Sequence, residues 1–475
     1  MGGTDQIFQQ VTIGELSDDV LLEMFSIYAG DTEWEEAWIA LAHVCQRWRH
    51  IVFASPRRLN LRLICTRYRH VMEMLDAWPA FPISIHDNPD TSQAEGVDNI
   101  FSALVRNDRI YQIEFQEIPS PLLGSYVEMM QVPFPALTSL ELCSEDVTVL
   151  VLRDSFLGGS APRLRSFDLN GIPFPALPKL LVTSIDLVKL SLWRIPHSGY
   201  ISPDEMVTCL SSMIRLESFT LGFLSPRSYP DRAARRPLLL TRIVLPALTF
   251  MEFRGVSEYL ENLVARLNTP RLAETIIVFF NQLLFNTPQL GQFFSHLEKF
   301  RGLNRANLIF KNWGVVVNLP MSTSTVNEEP GLQLAIRCEE LDWQLSSIVQ
   351  VCASSSPTLS ASEHLSIQQY IWTYEQPQPP ANIMIESTQW LEFFHPFSVV
   401  KNLYLSKELM LSVTDALKGP HGERATEVLP ALQDIFLEGL NSAEPVEPIQ
   451  EAIRPFIAAR QLFGHPVAVH DWKRE

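Results

Sequence analysis

The chain has 475 residues, 46% of them apolar and 19% charged, with a formal net charge of −17. That length predicts more than one compact unit, the composition is that of an ordered protein, and the acidic balance excludes a protein whose main task is gripping phosphate backbones. Six scattered cysteines with no CxxC pair read as reduced thiols, each a small buried hydrophobe, in the cytoplasm, the nucleus or both. The opening "MGGTDQIFQQVTIGEL" lacks the basic segment and apolar run of a secretory signal, and no run reaches the roughly eighteen apolar residues of a membrane span. Neither a membrane nor a nucleic-acid partner is expected.

In chain order, the first seventy residues are segregated by charge. Eight acids and no Lys or Arg lie between Glu15 and Glu36, while seven Arg and no acid lie between Arg47 and Arg69. The two runs either pair with each other or form a bipartite docking surface. Val20, Leu21, Met24, Phe25 and Tyr28 make one apolar stripe of a helix, with Ser17 as N-cap and Asp18 and Asp19 placed favourably against its dipole. A second helix is predicted through "LAHVCQRWRHIVF" (41–53). Trp38, Leu41, Val44, Cys45, Trp48, Ile51 and Val52 repeat at three- and four-residue steps, and Pro56 ends the helix at Ser55.

Beyond residue 130 the pattern L-x-x-L-x-L recurs, often behind a proline. It reads "PALTSLEL" (135–142), "PRLRSFDL" (162–169), "LVKLSL" (187–192), "LESFTL" (216–221), "PALTFMEF" (246–253), "VKNLYL" (400–405) and "PALQDIFL" (430–437). The starts Leu137, Leu164, Leu187, Leu216 and Leu248 are 27, 23, 29 and 32 residues apart, intervals that suit one short strand plus a returning helix or loop. Each unit is too small to bury its own core, so neighbours must stack. From 270 to 400 the pattern weakens: "PRLAETIIVFF" (270–280) is a poor member, "LQLAIRC" (332–338) a poorer one, and "HLSIQQYIWTY" reads as a strand between loops. The expected fold class is an α+β or α/β repeat. A helical module covers 12–60, a helical linker or capping region 61–130, and an irregular leucine-rich-repeat domain with a C-terminal cap 131–475.

Chemistry is hard to find. There is no phosphate loop, H-E-x-x-H, G-x-S-x-G or G-x-G-x-x-G motif, so no enzyme and no cofactor are expected. His43 and Cys45 diverge by roughly 200° on a helix and lack further ligands, so no metal is expected. Cys45 lies on the apolar helix side, where burial raises a thiol's pKa and argues against a nucleophile.

The stretch 16–53, "LSDDVLLEMF" through "WIALAHVCQRWRHIVF", resembles the F-box. That pattern runs from leucine-proline through an acidic-apolar helix to a hydrophobic helix ending in valine-cysteine, a basic residue and tryptophan. Leu16, Val20 to Phe25, Leu41, Val44, Cys45, Arg47 and Trp48 stand at matching positions. The sequence departs from it at Ser17, where the family has proline, and in the insertion "SIYAGDTEWEEAW". With "VFASPRRLNLRLICT" (52–66), "MLDAWPAFPISI" (74–85) and "IAARQLFGHPVAVHDW" (457–472), the whole chain is similar to the fungal F-box-like proteins, an F-box followed by an irregular leucine-rich-repeat region.

The resemblance implies a substrate receptor of a cullin-RING (SCF-type) ubiquitin ligase. Its F-box would dock a Skp-type adaptor, and through it a cullin, while the repeats recruit a protein substrate. The alternative is an interaction scaffold whose F-box engages no ligase. By resemblance the adaptor contact falls on Leu16, Ser17, Val20, Leu21, Met24, Phe25, Leu41, Val44, Cys45 and Trp48, some of which would instead form the module's own core. Alternation along the repeat strands turns Glu141, Asp168, Ser191, Trp193, Thr220, Glu252, Arg254, Tyr404 and Phe436 toward a concave face as substrate-binding candidates.

Overall fold

In a computed structural model of the protein, the described residues are 13–31, 37–68, 74, 81–87, 96–144, 150–226, 242–300, 304–320, 330–354, 362–370, 386–418, 425–439 and 447–473. The chain divides into two compact units. Unit 1 comprises Met1–Asp146 with Arg153–Leu164, and unit 2 comprises Val147–Leu152 with Arg165–Glu475.

Unit 1 opens with α1 (Asp18–Asp31), α2 (Ala37–Val44) and α3 (Gln46–Ala54). Ser17 caps α1, its Oγ accepting from Val20 N at 3.4 Å, and Ser55 ends α3 one residue before Pro56. The single helix expected through residues 41–53 is two helices. Cys45 breaks it with extended backbone (φ −158°, ψ 170°), and its Sγ accepts from Trp48 N at the start of α3. Arg49 Nε reaches back to Ala42 O at 2.9 Å, satisfying a terminal carbonyl of α2 across the break. The expectation that Cys45 lies buried on an apolar stripe is therefore corrected: Cys45 is exposed, because a capping residue leaves the helical face it was counted on.

The rest of unit 1 holds strands β1 (Leu63–Cys65), β2 (Ile83–Asp87), β3 (Ile110–Ile118) and β4 (Ser139–Ser144), with α4 (Val97–Leu104) and α5 (Ser120–Met129). All four strands are parallel, in order. Cys65, Ile85, Ile113 and Leu140 fall in one lateral row, each fully buried. Residues 61–130 are thus not simply the helical linker expected; they carry three of these strands, and the unit boundary falls beyond 131. The buried pair Arg67–Asp87 ties the end of β1 to β2. Arg67 Nε donates to Asp87 Oδ1 at 2.5 Å, Arg67 Nη2 to Oδ2 at 2.9 Å, and the Tyr126 hydroxyl to Oδ2 at 3.0 Å.

Unit 2 contains β5 (Ser166–Asn170), α6 (Leu177–Thr183), β6 (Lys189–Ile195), α7 (Pro203–Leu210), β7 (Ser218–Phe223), β8 (Ile243–Val244), β9 (Phe250–Gly255), α8 (Ser257–Val264), β10 (Leu267–Asn268), β11 (Glu274–Phe279) and α9 (Pro288–His296). It continues with β12 (Arg305–Lys311), β13 (Gly314–Pro320), β14 (Pro330–Arg337), α10 (Leu341–Ser354), β15 (His364–Tyr370), α11 (Ser387–Phe394), β16 (Asn402–Leu405), α12 (Lys407–Lys418), β17 (Asp434–Glu438), α13 (Glu447–Leu462) and β18 (Ala468–Trp472). Apart from the short β8–β10 pair, its strands run in the order β5-β6-β7-β9-β11-β14-β13-β12-β15-β16-β17-β18. Every neighbour pairs parallel except β13, which is antiparallel to both β12 and β14. A hairpin is therefore inserted in the middle of the array, which accounts for the weak pattern between 270 and 400.

The leucines of the repeat form the core. Leu169, Leu192, Leu221, Phe253, Ile277, Leu334, Val317, Leu308, Ile367, Leu405 and Leu437 follow one another strand to strand in register and are all buried. Helices cover this side: Tyr259 of α8 packs on Phe253 and Phe223, and Trp390 of α11 on Phe310. Burying each such side chain is worth about 1.5–3 kcal/mol. Because no single turn buries enough, the ridge stabilises the array only when it is continuous.

Candidate functional site

Two surfaces hold the residues singled out in the sequence. On the helical module, Leu21, Phe25 and Leu41 are buried, with Leu21 fully so; they form its core and leave no face for a partner. Trp48 is half-buried with its ring 4.6 Å from that of Phe25. Val20, Met24, Ile27, Tyr28 and Val44 are exposed, by 46, 43, 56, 44 and 58%. On α1, positions 20, 24, 27 and 28 fall within about 100° of arc at helical spacing, so an apolar stripe faces outward beside the buried one. Leu16 is half-buried and Ser17 exposed.

The opposed charge runs pair. Arg47 Nε donates to Asp18 Oδ1 at 2.9 Å, while its Nη atoms bind Gly14 O and Leu16 O at 2.7 and 2.6 Å. Arg58 pairs with Glu23. These ties fasten the chain ahead of α1 to α3, so Arg47 holds the stripe in place, although exposed pairs of this kind are each worth about 1 kcal/mol or less.

Cys45 yields a direct check. Burial pushes the Cys65 and Cys209 thiols up to about 12 and about 11, whereas Cys45 is exposed. Iodoacetamide on the native protein at neutral pH is expected to alkylate Cys45 well before Cys65 or Cys209, which should react only on unfolding. Peptide mass mapping after timed quenching would reveal the opposite order, and with it an error in the helix break.

On unit 2 the strand face that no helix covers among the described residues carries one lateral row, in register from β5 to β18: Asp168, Ser191, Thr220, Glu252, Ile276, Gln333, Asn318, Asn307, Ser366, Tyr404, Phe436 and His470. Of the sequence candidates, Asp168, Ser191, Thr220, Glu252, Tyr404 and Phe436 thus share one row. Trp193 and Arg254 stand two positions further along the same face. Glu141 belongs to unit 1, where it accepts from Gln116 Nε2 at 3.1 Å. Burial holds the Asp168 and Glu252 carboxyls above their ordinary values, with Ser191 and Lys189 opposing the shift at Asp168 and Arg254 opposing it at Glu252.

Tyr404 and Phe436 are half-buried rather than free anchors. Their rings stack at 4.4 Å and 11°, and Phe436 stacks on His470 at 4.9 Å. Trp472 meets Tyr404 edge-on, and His470 Nε2 lies 2.7 Å from Asp434 Oδ1. His470 and Trp472 escaped the sequence pattern because β18 has no leucine hexad. Trp193 lies against Gly222, where an added Cβ would collide with its ring, and the Arg254 guanidinium sits 5.7 Å from its centroid.

One relay in unit 1 has the order of a nucleophile, base and acid. Ser84 Oγ is 2.6 Å from His86 Nε2, and His86 Nδ1 is 2.7 Å from Glu114 Oε2. A carboxylate only accepts, so Nδ1 is the donor to Glu114. Ser84 is fully buried, which leaves its oxygen no approach for a substrate carbonyl and makes the relay a cross-strand tie. Among the described residues no group of His, Cys, Asp and Glu is placed to hold a metal ion, and no helix is long and apolar enough to cross a membrane.

Leucine-rich, mostly parallel strands, helices on one side and a largely polar row on the other define unit 2 as an α/β-repeat array. The sequence matches no protein-family model and no curated protein. Among solved structures it is similar to the leucine-rich repeat-containing protein LegL7 from Legionella pneumophila, at 13% identity and a TM-score of 0.27, over 72% of this chain and 97% of that one.

Proposed function

We propose that the protein is a non-enzymatic substrate receptor. Its N-terminal helices, which resemble an F-box, dock a Skp-type adaptor of a cullin-RING ligase, and the helix-free face of unit 2 recruits a protein target. The observation that carries the reading is the outward apolar stripe Val20, Met24, Ile27 and Tyr28 on α1, with Val44 also exposed. Such residues seek a partner helix or groove, and they occur in the segment that resembles the F-box. Holding a target beside a charged conjugating enzyme raises effective concentration without bond chemistry in this chain.

The test is co-purification with a Skp-type adaptor. Val20→Asp with Met24→Asp is expected to abolish it, while the unfolding free energy changes by no more than about 0.5 kcal/mol per site, since both side chains are exposed. Leu21 is unsuitable for this purpose, because any charge there disrupts the core. Undiminished adaptor binding by the double variant defeats the reading, and failure of the unaltered protein to bind any adaptor leaves the interaction scaffold in its place.

A further inference from the structure

A cavity of about 440 Å³ opens among the helices of unit 2, a volume within the range of small-ligand sites. Its walls are the end of α8 with Leu267 of β10 and one face of α9. On α9 the lining residues Gln289, Phe293 and His296 recur at steps of four and three, so one side of that helix faces inward. Glu261 of α8 fixes α9 in place, its Oε2 accepting from Gln289 N at 2.9 Å and its Oε1 from Leu290 N at 2.8 Å. The short β8–β10 pair, outside the main sheet, brings Arg242 to the cavity. Ile243 pairs with Leu267, and Arg242 Nε donates to Ala265 O at 3.2 Å.

The lining is apolar within and charged at the mouth. Leu267, Phe293 and Leu297 are buried, whereas Arg242 and Glu298 are exposed. A cation and an anion thus share one cavity, and among the described residues neither forms an ion pair with the other or with any third group. Thr269, also in the lining, is 1% exposed, and its hydroxyl has no hydrogen-bond partner. Buried polar atoms are seldom left so, and one beside a cavity marks a place where a ligand can supply the missing bond.

We propose that this cavity binds a small zwitterion with an apolar body, of the class of a free α-amino acid with a leucine- or phenylalanine-like side chain. The two unpaired charges decide the class. A carboxylate suits the planar Arg242 fork, whose Nη atoms are left over when Nε is held by Ala265 O. An ammonium suits Glu298. A simple acid would set a like charge beside Glu298, a simple amine would do the same to Arg242, and a doubly charged phosphate would be worse placed than either. The apolar side chain covers Phe293, Leu267 and Leu297. A peptide terminus carries only one of the two charges, which favours the free molecule. The site uses neither the outward stripe of α1 nor the helix-free face, so it is independent of the receptor reading.

The test is calorimetry on the full chain at neutral pH, with L-phenylalanine and L-leucine as probes. Phenylpropionate lacks the ammonium, phenylethylamine lacks the carboxylate, and glycine lacks the apolar side chain. Saturable binding of phenylalanine or leucine is expected. Each reduced probe should bind about tenfold or more weakly, the worth of one charge-assisted hydrogen bond or one buried apolar side chain. Arg242→Gln should weaken phenylalanine by a similar factor and leave phenylethylamine unchanged, while Glu298→Gln should weaken phenylalanine and spare phenylpropionate. Both positions are exposed, so neither change should disturb the fold. No saturable binding of either amino acid at millimolar concentration overturns the site. So does binding that both Gln variants leave unchanged, or a reduced probe as tight as phenylalanine. Adaptor co-purification should survive both variants, so the two readings fail separately.

Discussion

Asp87→Ala is expected to destabilise unit 1 by about 3–5 kcal/mol, the cost of breaking a buried ion pair from one side. The side chains of Arg67 and Asp87 are 7% and 0% exposed, so the guanidinium left behind would have neither water nor a counter-ion. Burial alone would lower the Arg67 pKa; the hydrogen bond and charge of Asp87 outweigh it and hold the group above its ordinary value. Tyr126 loses its acceptor in the same variant. The loss should appear as a lower denaturant midpoint for the transition reporting unit 1. Arg67→Met with Asp87→Leu should recover much of it, since replacing both partners removes the orphaned charge. A single variant as stable as the parent protein would mean that the pair is hydrated and the packing around β1 and β2 looser than described.

Arg460→Ala is expected to cost unit 2 about 4 kcal/mol or more. Arg460 on α13 is fully buried, and among the described residues no carboxylate pairs with it. Its Nη atoms instead donate at 3.1–3.3 Å to the carbonyls of Ala425, Val428, Leu429, Pro430 and Leu432, and Phe456 packs on its guanidinium at 5.6 Å. One side chain thus gathers the carbonyls of the turn leading into β17, and truncation leaves those acceptors unpaired in a cavity. Arg460→Lys, with three donors and no planar fork, should rescue only a fraction. Hydrogen exchange of the amides in 425–437 localises the effect; protection unchanged in the Ala variant would show that α13 holds this turn by apolar packing alone.

Much of unit 2 was legible in the sequence because its strands repeat one physical demand. A leucine from the turn and two alternating apolar residues bury one face, and each such hexad became a strand, as did His364–Tyr370 of the strand-like "HLSIQQYIWTY", whose last four residues lie outside the described residues. Where the demand is met differently, the pattern fails. β1 (LIC) and β2 (ISIHD) carry no leucine hexad, and β13 reverses direction, so its buried valines obey a hairpin's register. The Cys45 break was invisible because Val44, Cys45 and Trp48 keep helical spacing across it. The candidate face was half legible: alternation put Arg254 on it, but His470 and Trp472 come from β18, which has no leucine hexad, and Gln333 joins the row only because β14 lies beside β11.

That neighbour relation also governs the order in which the array is made. A linear stack of repeats grows by templating, each turn laid on the one just finished. Here the next strand after β11, Arg305–Lys311, is placed three positions away, and the place beside β11 is filled only by Pro330–Arg337. A nascent chain that has released β11 therefore waits, with an open hydrogen-bonding edge, until the hairpin has gone out and returned. The far side then grows afresh from β12 toward the C-terminus, a second growth zone whose start does not depend on the first and whose joining is the long-range, slower event.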